Sequence, residues 1–420
     1  MSTDGVLAET GGALAAAPAA RGHRRGTAAY RRLVAAIWAA GVGSFMLLYA
    51  PQAMLPLLSQ SFHVPASTAA LSVSVASGAL ALALIPVSAL ASRWGRVRVM
   101  TLALSLAAVL GLLVPLSPSF GVLLALRALQ GVAIAGLPAL AMAHLAEEVQ
   151  PTSVGAAMGL FVAGNTVGGL SGRLLASAVS DLAGWRAGFA VVGVLALVCV
   201  VAFRLLLPPA TALPALVARG LLLTHLTAHL RDPGLRWLCA TGFVLMSAFV
   251  TVYNYLGYRL LAPPFGLSQT LVGLVFLAYL AGTGTAPLAG RLGDRVGRRT
   301  VLWASVVLAL GAVLLTLLDV LALILIGLVL FTVGFFCAHT TASGWVGRRA
   351  TTGRSQASAL YLLAYYGGAG IGGWAGGLVF ERAAWPGVVG YVAGLLVVAL
   401  GLALLLRRTP AIAAGSVRPR

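Results

Sequence analysis

The sequence predicts an all-α membrane protein, with twelve transmembrane helices in two pseudo-symmetric bundles of six. Three observations predict it. Of the 420 residues, 60% are hydrophobic and only 9% charged, with a mean hydropathy of +0.99; a soluble domain carries about 25% charged residues. Apolar runs long enough to cross a membrane, about 20 residues of helix each, recur along the chain. A short arginine-rich loop occurs twice at a fixed offset, so that Arg93, Gly95 and Arg96 return as Arg295, Gly297 and Arg298.

Taken in order, residues 1–32 are rich in Ala and Gly and then in Arg, with no apolar core ahead of a cleavage site. They read as a disordered cytoplasmic tail and not as a signal peptide. The first bundle occupies 33–207, with spans 1 to 6 at 33–58, 68–90, 99–116, 120–145, 153–178 and 187–207. A stretch at 208–234 breaks the series with Pro208, Pro209, Pro214, Arg219 and Arg231, and fits a cytoplasmic linker with a short amphipathic helix. The second bundle occupies 235–406, with spans 7 to 12 at 235–261, 268–290, 300–318, 320–345, 355–380 and 386–406. Residues 407–420 form a C-terminal tail.

The arginines orient the chain. With the N-terminus inside, the inner segments carry Arg24, Arg25, Arg31 and Arg32, the Arg93 and Arg295 loops, Arg348, Arg349 and the C-terminal arginines. The outer segments carry only Arg186, Arg259 and Arg382. Positive loops stay cytoplasmic, so both termini are expected in the cytoplasm and the protein in the plasma (inner) membrane.

The formal net charge is +19, and every basic residue other than histidine is arginine. Nucleic-acid binding needs a soluble basic face, whereas these arginines cluster at the ends of apolar runs. With no lysine, the chain lacks the P-loop pattern, which excludes ATP-driven pumping by this chain alone. Cys199, Cys239 and Cys337 sit singly in apolar runs and read as small core residues. The spans hold no acid, no His pair and no HExxH-type spacing, which argues against a membrane enzyme. No cofactor and no metal are expected.

The second copy of the loop runs Gly290–Arg299, Gly-Arg-Leu-Gly-Asp-Arg-Val-Gly-Arg-Arg. The glycine two residues after an arginine permits a tight turn between helices. The pattern resembles the signature loop of the major facilitator superfamily, found between spans 2 and 3 and more weakly between spans 8 and 9. The resemblance covers nearly the whole chain. It implies two bundles around a central path, with a small-molecule substrate near the midplane, and a monomer that works by alternating access.

The superfamily usually keeps an aspartate in the first copy; here Ser92 stands there and Asp294 lies in the second. By pseudo-symmetry Asp294 is expected at the start of span 5, near Ser153, where free N–H groups attract negative charge. Arg348 and Arg349 stand near enough in pattern to pair with it, as Glu147 and Glu148 do for Arg93 and Arg96. The plain alternative is a solvated Asp294 that balances its arginine neighbours.

Span 4 carries Arg127, Gln130 and Gly131. An arginine inside a span costs about 2.5–3.5 kcal/mol on insertion scales, so it should face protein or water. The segment looks like the superfamily's span-4 motif, whose arginine is linked to proton coupling; the alternative is a structural arginine bonded to backbone carbonyls. Span 5 carries Gly155, Gly164, Gly168, Gly169 and Gly172, similar to the antiporter motif of drug/proton exporters. It departs where Gly169 replaces a proline and Arg173 a glycine. Gly164, Gly168 and Gly172 make a stripe that lets another helix approach closely, by analogy span 8. Polar groups expected at the interior, for substrate or coupling, are Gln52, Asn165, Asn254, Tyr255, His339, Tyr361 and Tyr365. No Asp or Glu lies inside any span, which disfavours a cationic cargo. The expectation is a secondary exporter of a small neutral or anionic molecule, with protons as coupling ion; the rival is an importer or uniporter of a small metabolite on the same fold.

Overall fold

The computed structural model describes residues 22–209 and 227–406. Among them, ten helices are long and apolar enough to cross a membrane. Two of these are double. Pro151–Leu206 runs 56 residues, about 84 Å at 1.5 Å per residue, and breaks at Gly184, whose φ of 79° and ψ of 167° are not helical. Arg354–Leu405 runs 52 residues and breaks at Ala383 and Ala384. Split at these points they supply spans 5 and 6 and spans 11 and 12.

Local chemistry sets the other ends. Span 1, Ala28–Phe62, starts under Thr27, whose side chain accepts from Tyr30 N, and carries a 3-10 turn at Ala50–Met54 that opens on Pro51. Here the sequence expectation needs correction. Residues 28–32 belong to the first helix and not to a tail, because the Thr27 cap and the buried Tyr30 and Leu33 draw the helix start back. Span 2, Ala66–Trp94, and span 3, Arg96–Leu113, meet at Gly95, with φ 85°. Span 8, Gln269–Val296, and span 9, Arg298–Leu315, meet at Gly297, with φ 90°. A left-handed φ at both sites is what the repeated glycine permits. Span 4 covers Phe120–Glu148, span 7 Pro233–Leu261 under an Asp232 cap, and span 10 Leu321–Arg349. The N-terminal tail through residue 21, most of the proposed linker helix (210–226) and the tail at 407–420 lie outside the described residues.

Buried apolar residues gather in two groups. One is built from spans 1 to 6, with Leu33, Leu48, Leu104, Phe161 and Phe203, and takes in Tyr366 from span 11. The other is built from spans 7 to 12, with Leu245, Phe249, Leu302, Phe331 and Val392, and takes in Ala53, Leu55, Ala66, Ala70 and Val73 from spans 1 and 2. Each group borrows side chains from the opposite half, so the two halves interlock.

The glycine stripe of span 5 packs on span 1, not on span 8. A Cβ at Gly164 would lie 2.8 Å from Trp38 O, one at Gly172 2.7 Å from Met46 O, and one at Gly168 would strike the Val42 backbone. The small residues let two helices of the same half close together. Span 8 reaches span 5 only nearer its start, where Gly273 meets Ser177, while its Gly282 faces Phe336 of span 10.

Candidate functional site

Among the described residues, two arginines are buried inside the bundle. Arg127, 0% exposed, donates through Nε to Ser72 O at 2.9 Å, through Nη1 to Leu47 O at 2.8 Å and through Nη2 to Leu48 O at 2.7 Å, and Nη1 also reaches Gln130 Oε1. Gln130 Nε2 donates on to Ala107 O of span 3 at 2.9 Å. The reason lies in span 1. Pro51 has no N–H, so Leu47 O loses its helical donor. The 3-10 turn that follows pairs each amide one residue nearer, which frees Leu48 O from Gln52 N. Arg127 supplies both carbonyls in a place where no water can.

Arg173 of span 5 is 2% exposed. Its Nε donates to Gln52 Oε1 at 2.8 Å, Nη1 to Gly169 O at 2.8 Å and Nη2 to Tyr279 Oη at 3.2 Å. Its guanidinium carbon lies 4.4 Å from the centre of the Tyr49 ring, 4.7 Å from Tyr279 and 5.0 Å from Phe276. Tyr49 comes from the first half, Phe276 and Tyr279 from the second. Gln52 continues the chain across the seam, with Nε2 donating to Asn254 Oδ1 at 2.8 Å. Gln52 and Asn254 stand 202 residues apart, the same offset that relates the two loops.

The cross-half hydrogen bonds among the described residues gather toward the end away from the termini. Ser59 Oγ pairs with Tyr258 Oη at 2.9 Å, Ser177 Oγ donates to Gln269 O at 2.5 Å, and Gln269 Nε2 donates to Ala53 O. Two acids cap helix starts of the opposite half. Glu381 Oε1 accepts from Ser67 N at 2.8 Å at the start of span 2. Asp181 Oδ2 accepts from Thr270 N at 3.2 Å and Thr270 Oγ1 at 2.6 Å at the start of span 8. Toward the termini, Gly155 and Gly159 of span 5, like Gly284 and Gly290 of span 8, have open space where a side chain would stand.

Below Arg173, aromatic rings line the interior of the second half. Phe249 stacks on Phe335 with centroids 3.8 Å apart and meets Tyr279 at 5.3 Å and Phe336 at 6.0 Å. Phe335 continues to His339 at 5.8 Å, and His339 to Tyr365 at 4.6 Å. His339 Nδ1 shares a 2.9 Å hydrogen bond with Tyr361 Oη.

The sequence profile of the Major Facilitator Superfamily matches residues 37–261 and 251–420. An uncharacterized MFS-type transporter, YybF, of Bacillus subtilis (strain 168) is 39% identical over 387 residues, covering 92% of this chain and 96% of that protein. The chain belongs to the major facilitator superfamily. The inner membrane transport protein YnfM of Escherichia coli (strain K12) is 40% identical over 386 residues, 92% of this chain and 93% of that one. Among solved structures, a bacterial homologue of the human lysosomal transporter Spinster, in an inward-facing and occupied conformation, superposes with a TM-score of 0.77 over 91% of this chain and 98% of that one, at 17% identity. The protein is therefore a multi-pass membrane transporter of this superfamily, with its fold, and not an enzyme.

Within this transporter the expected site residues divide. Gln52 and Asn254 bond across the seam, Tyr365 packs against both halves, and His339 and Tyr361 bond to each other within the second half. Tyr255 is fully buried and donates to Gly373 O at 2.8 Å, tying span 7 to span 11 beside Ser67 of span 2. Asn165 faces Gly41 of span 1, and its buried Oδ1 has no hydrogen-bond partner. In the loops, Arg96 pairs with Glu147, while Arg93 and Arg295 are exposed. Asp294 pairs with Arg298 at 3.2 Å and Arg348 at 3.0 Å, all in its own half. Among the described residues no pairing between Asp294 and the start of span 5 near Ser153 is found; its carboxylate is taken by Arg298 and Arg348 instead. Arg349 goes to Asp232 at 2.7 Å instead. Burial works to raise the Asp232 carboxyl, but hydrogen bonds from Arg349 and Gly234 N outweigh it and hold it below the ordinary carboxylate range.

Sequence reasoning noticed Arg173 but gave it no role, and it passed over Phe276 and Tyr279. The available signal was a charge inside an apolar run directly after the glycine stripe. The missing signal was which helix its side chain would meet.

Proposed function

We propose that this transporter is a proton-coupled exporter of a small neutral or anionic molecule. It works by alternating access, as a monomer in the plasma membrane, with both termini in the cytoplasm. The observation that carries the reading is Arg173: a buried guanidinium on the seam between the halves, with no carboxylate partner among the described residues. The described acids Glu147, Glu148, Asp181, Asp232, Asp294, Asp319 and Glu381 all stand at span ends or in loops. A cationic cargo would meet a like charge and no counter-charge.

Cytoplasmic termini put the hydrogen-bonded seam on the outer side. A relative named as a chloramphenicol resistance protein in Streptomyces lividans, 28% identical over 285 residues, supports outward transport. His339, bonded to Tyr361 in the aromatic wall, is the proposed proton carrier, since histidine changes charge near neutral pH when unperturbed.

Inverted membrane vesicles test the proposal with chloramphenicol, a pentose and a panel of organic anions. An acid interior should drive accumulation of at least one of them, and collapse of the pH gradient should stop it. Gradient-independent flux, or uptake only in right-side-out vesicles, favours the importer or uniporter. His339→Gln should flatten the pH dependence of flux between about pH 5.5 and 8; an unchanged profile removes His339 from the coupling path.

A further inference from the structure

We infer that Arg173 is the recognition point for a carboxylate, and that the cargo is an organic monocarboxylate with a flat apolar body. The inference deepens the export reading and rests on it only in taking the interior as the cargo path.

Hydrogen-bond accounting carries the argument. Arginine is a donor only, with five N–H groups. Three are used, on Gln52, Gly169 and Tyr279. Because Arg173 cannot accept, Gln52 must turn its oxygen toward it, which points the Gln52 NH2 at Asn254. Asn254 must then offer its own oxygen, and its NH2 is left over. That Nδ2 is buried and has no hydrogen-bond partner. Ser74 Oγ, which like Asn254 Nδ2 lies beside Gly373, is also buried without one. The group thus has spare donors and is short of acceptors. A carboxylate accepts only and takes guanidinium in a planar, two-point fit.

Charge points the same way. A buried cation is tolerated when paired, and here three ring faces and three neutral oxygens soften the charge without neutralising it. A neutral polyol would bring donors to a place that already has too many. A phosphonate would bring a second charge to a single guanidinium.

The body of the cargo follows from the walls. The rings around Arg173 run on through Phe249, Phe336 and Phe335 to His339 and Tyr365. Flat apolar groups pack well against such faces. The partners of Arg173 also come from both halves. A cargo carboxylate that draws the guanidinium away from Tyr279 and Gln52 would loosen the outer seam, so cargo binding and outer opening share one set of donors.

The test is thermal unfolding of the purified full-length protein in detergent, with benzoate and 4-phenylbutyrate against benzamide, 4-phenylbutyramide, phenylphosphonate and phenethylamine. At least one carboxylate should raise the midpoint saturably, while its amide, the phosphonate and the amine do not. Arg173→Gln should weaken carboxylate binding at least tenfold, with Arg173→Lys in between and both variants monodisperse. The acid–amide comparison uses the parent protein and does not depend on how the variants fold. Equal shifts from acid and amide, tighter binding of phosphonate or amine, parental binding by Arg173→Gln, or no shift from either carboxylate would each overturn the inference. Carboxylate binding without outward transport in vesicles would remove the export reading and leave the site standing. Outward transport of a neutral molecule without carboxylate binding would do the reverse.

Discussion

Arg127 and Arg173 are both buried inside the helical bundle, yet their surroundings are opposite. Arg127 is held by the carbonyls of Leu47, Leu48 and Ser72 and by Gln130, all within the first half. Arg173 touches rings of both halves and leaves two N–H groups without a hydrogen bond. The difference separates a charge that completes the fold from a charge the fold holds ready. Arg127 answers a defect in its neighbour, the helix that Pro51 interrupts. Arg173 has neutral partners only, with no carboxylate against it among the described residues.

The largest expected effect follows from that defect. Arg127→Met should leave two buried carbonyls, Leu47 O and Leu48 O, without their donor, at about 1–3 kcal/mol for each group left unsatisfied, and most of the protein should be lost from the monodisperse fraction. Pro51→Ala restores an N–H below Leu47 O, so the double variant should recover part of the loss. The check is the coupling between the two changes in unfolding midpoint. Purely additive losses, or an Arg127→Met protein that is fully stable and only uncoupled from protons, would return Arg127 to the coupling role suggested by its motif.

A smaller effect is expected on the hydrogen-bonded seam that Arg173 crosses. Asp181→Asn and Glu381→Gln weaken the two exposed acid caps, each worth about 0.3–1 kcal/mol. Each variant should shift the population by a few-fold toward states in which this seam is open. Cysteine labelling at Gly155 and Gly290 reports the shift, and unchanged labelling in the double variant would show that the caps carry no weight. The smallest effect concerns Asp232, whose carboxyl is held below its ordinary value. A depressed folded value stabilises the native state fully above the unfolded value, near pH 3.9. That contribution is lost as pH falls through the lower folded value. The gap in unfolding midpoint between parent and Asp232→Asn should therefore be present at pH 7 and close below about pH 4; a gap that widens on acidification would contradict the pairing with Arg349.

Much of the architecture was legible in the sequence. Run length located the spans, because hydropathy reports membrane thickness directly. The paired loops were legible too, since Gly95 and Gly297 both adopt the left-handed φ that only the turn requires. Helix partners were harder. The stripe of Gly164, Gly168 and Gly172 announced a close contact, but a stripe does not name the helix it admits, and analogy chose span 8 where the structure has span 1. The aromatic box was not legible at all. Tyr49, Phe276 and Tyr279 lie in two spans far apart in the chain, and nothing in local spacing brings them to residue 173. Tyrosine at helical spacing fits a cavity wall and a helix–helix contact equally well, and the Tyr255 hydroxyl meets a backbone carbonyl of span 11.

The central claim is that Arg173 is kept for cargo and not for stability. The most direct measurement is the thermal-unfolding midpoint of Arg173→Met beside the parent, in the same detergent and without ligand. Replacing a buried unpaired charge by an apolar side chain of similar length removes a desolvation penalty. The account predicts a midpoint at or above that of the parent. A fall as deep as that of Arg127→Met would contradict it and place Arg173 with the residues that hold the fold together.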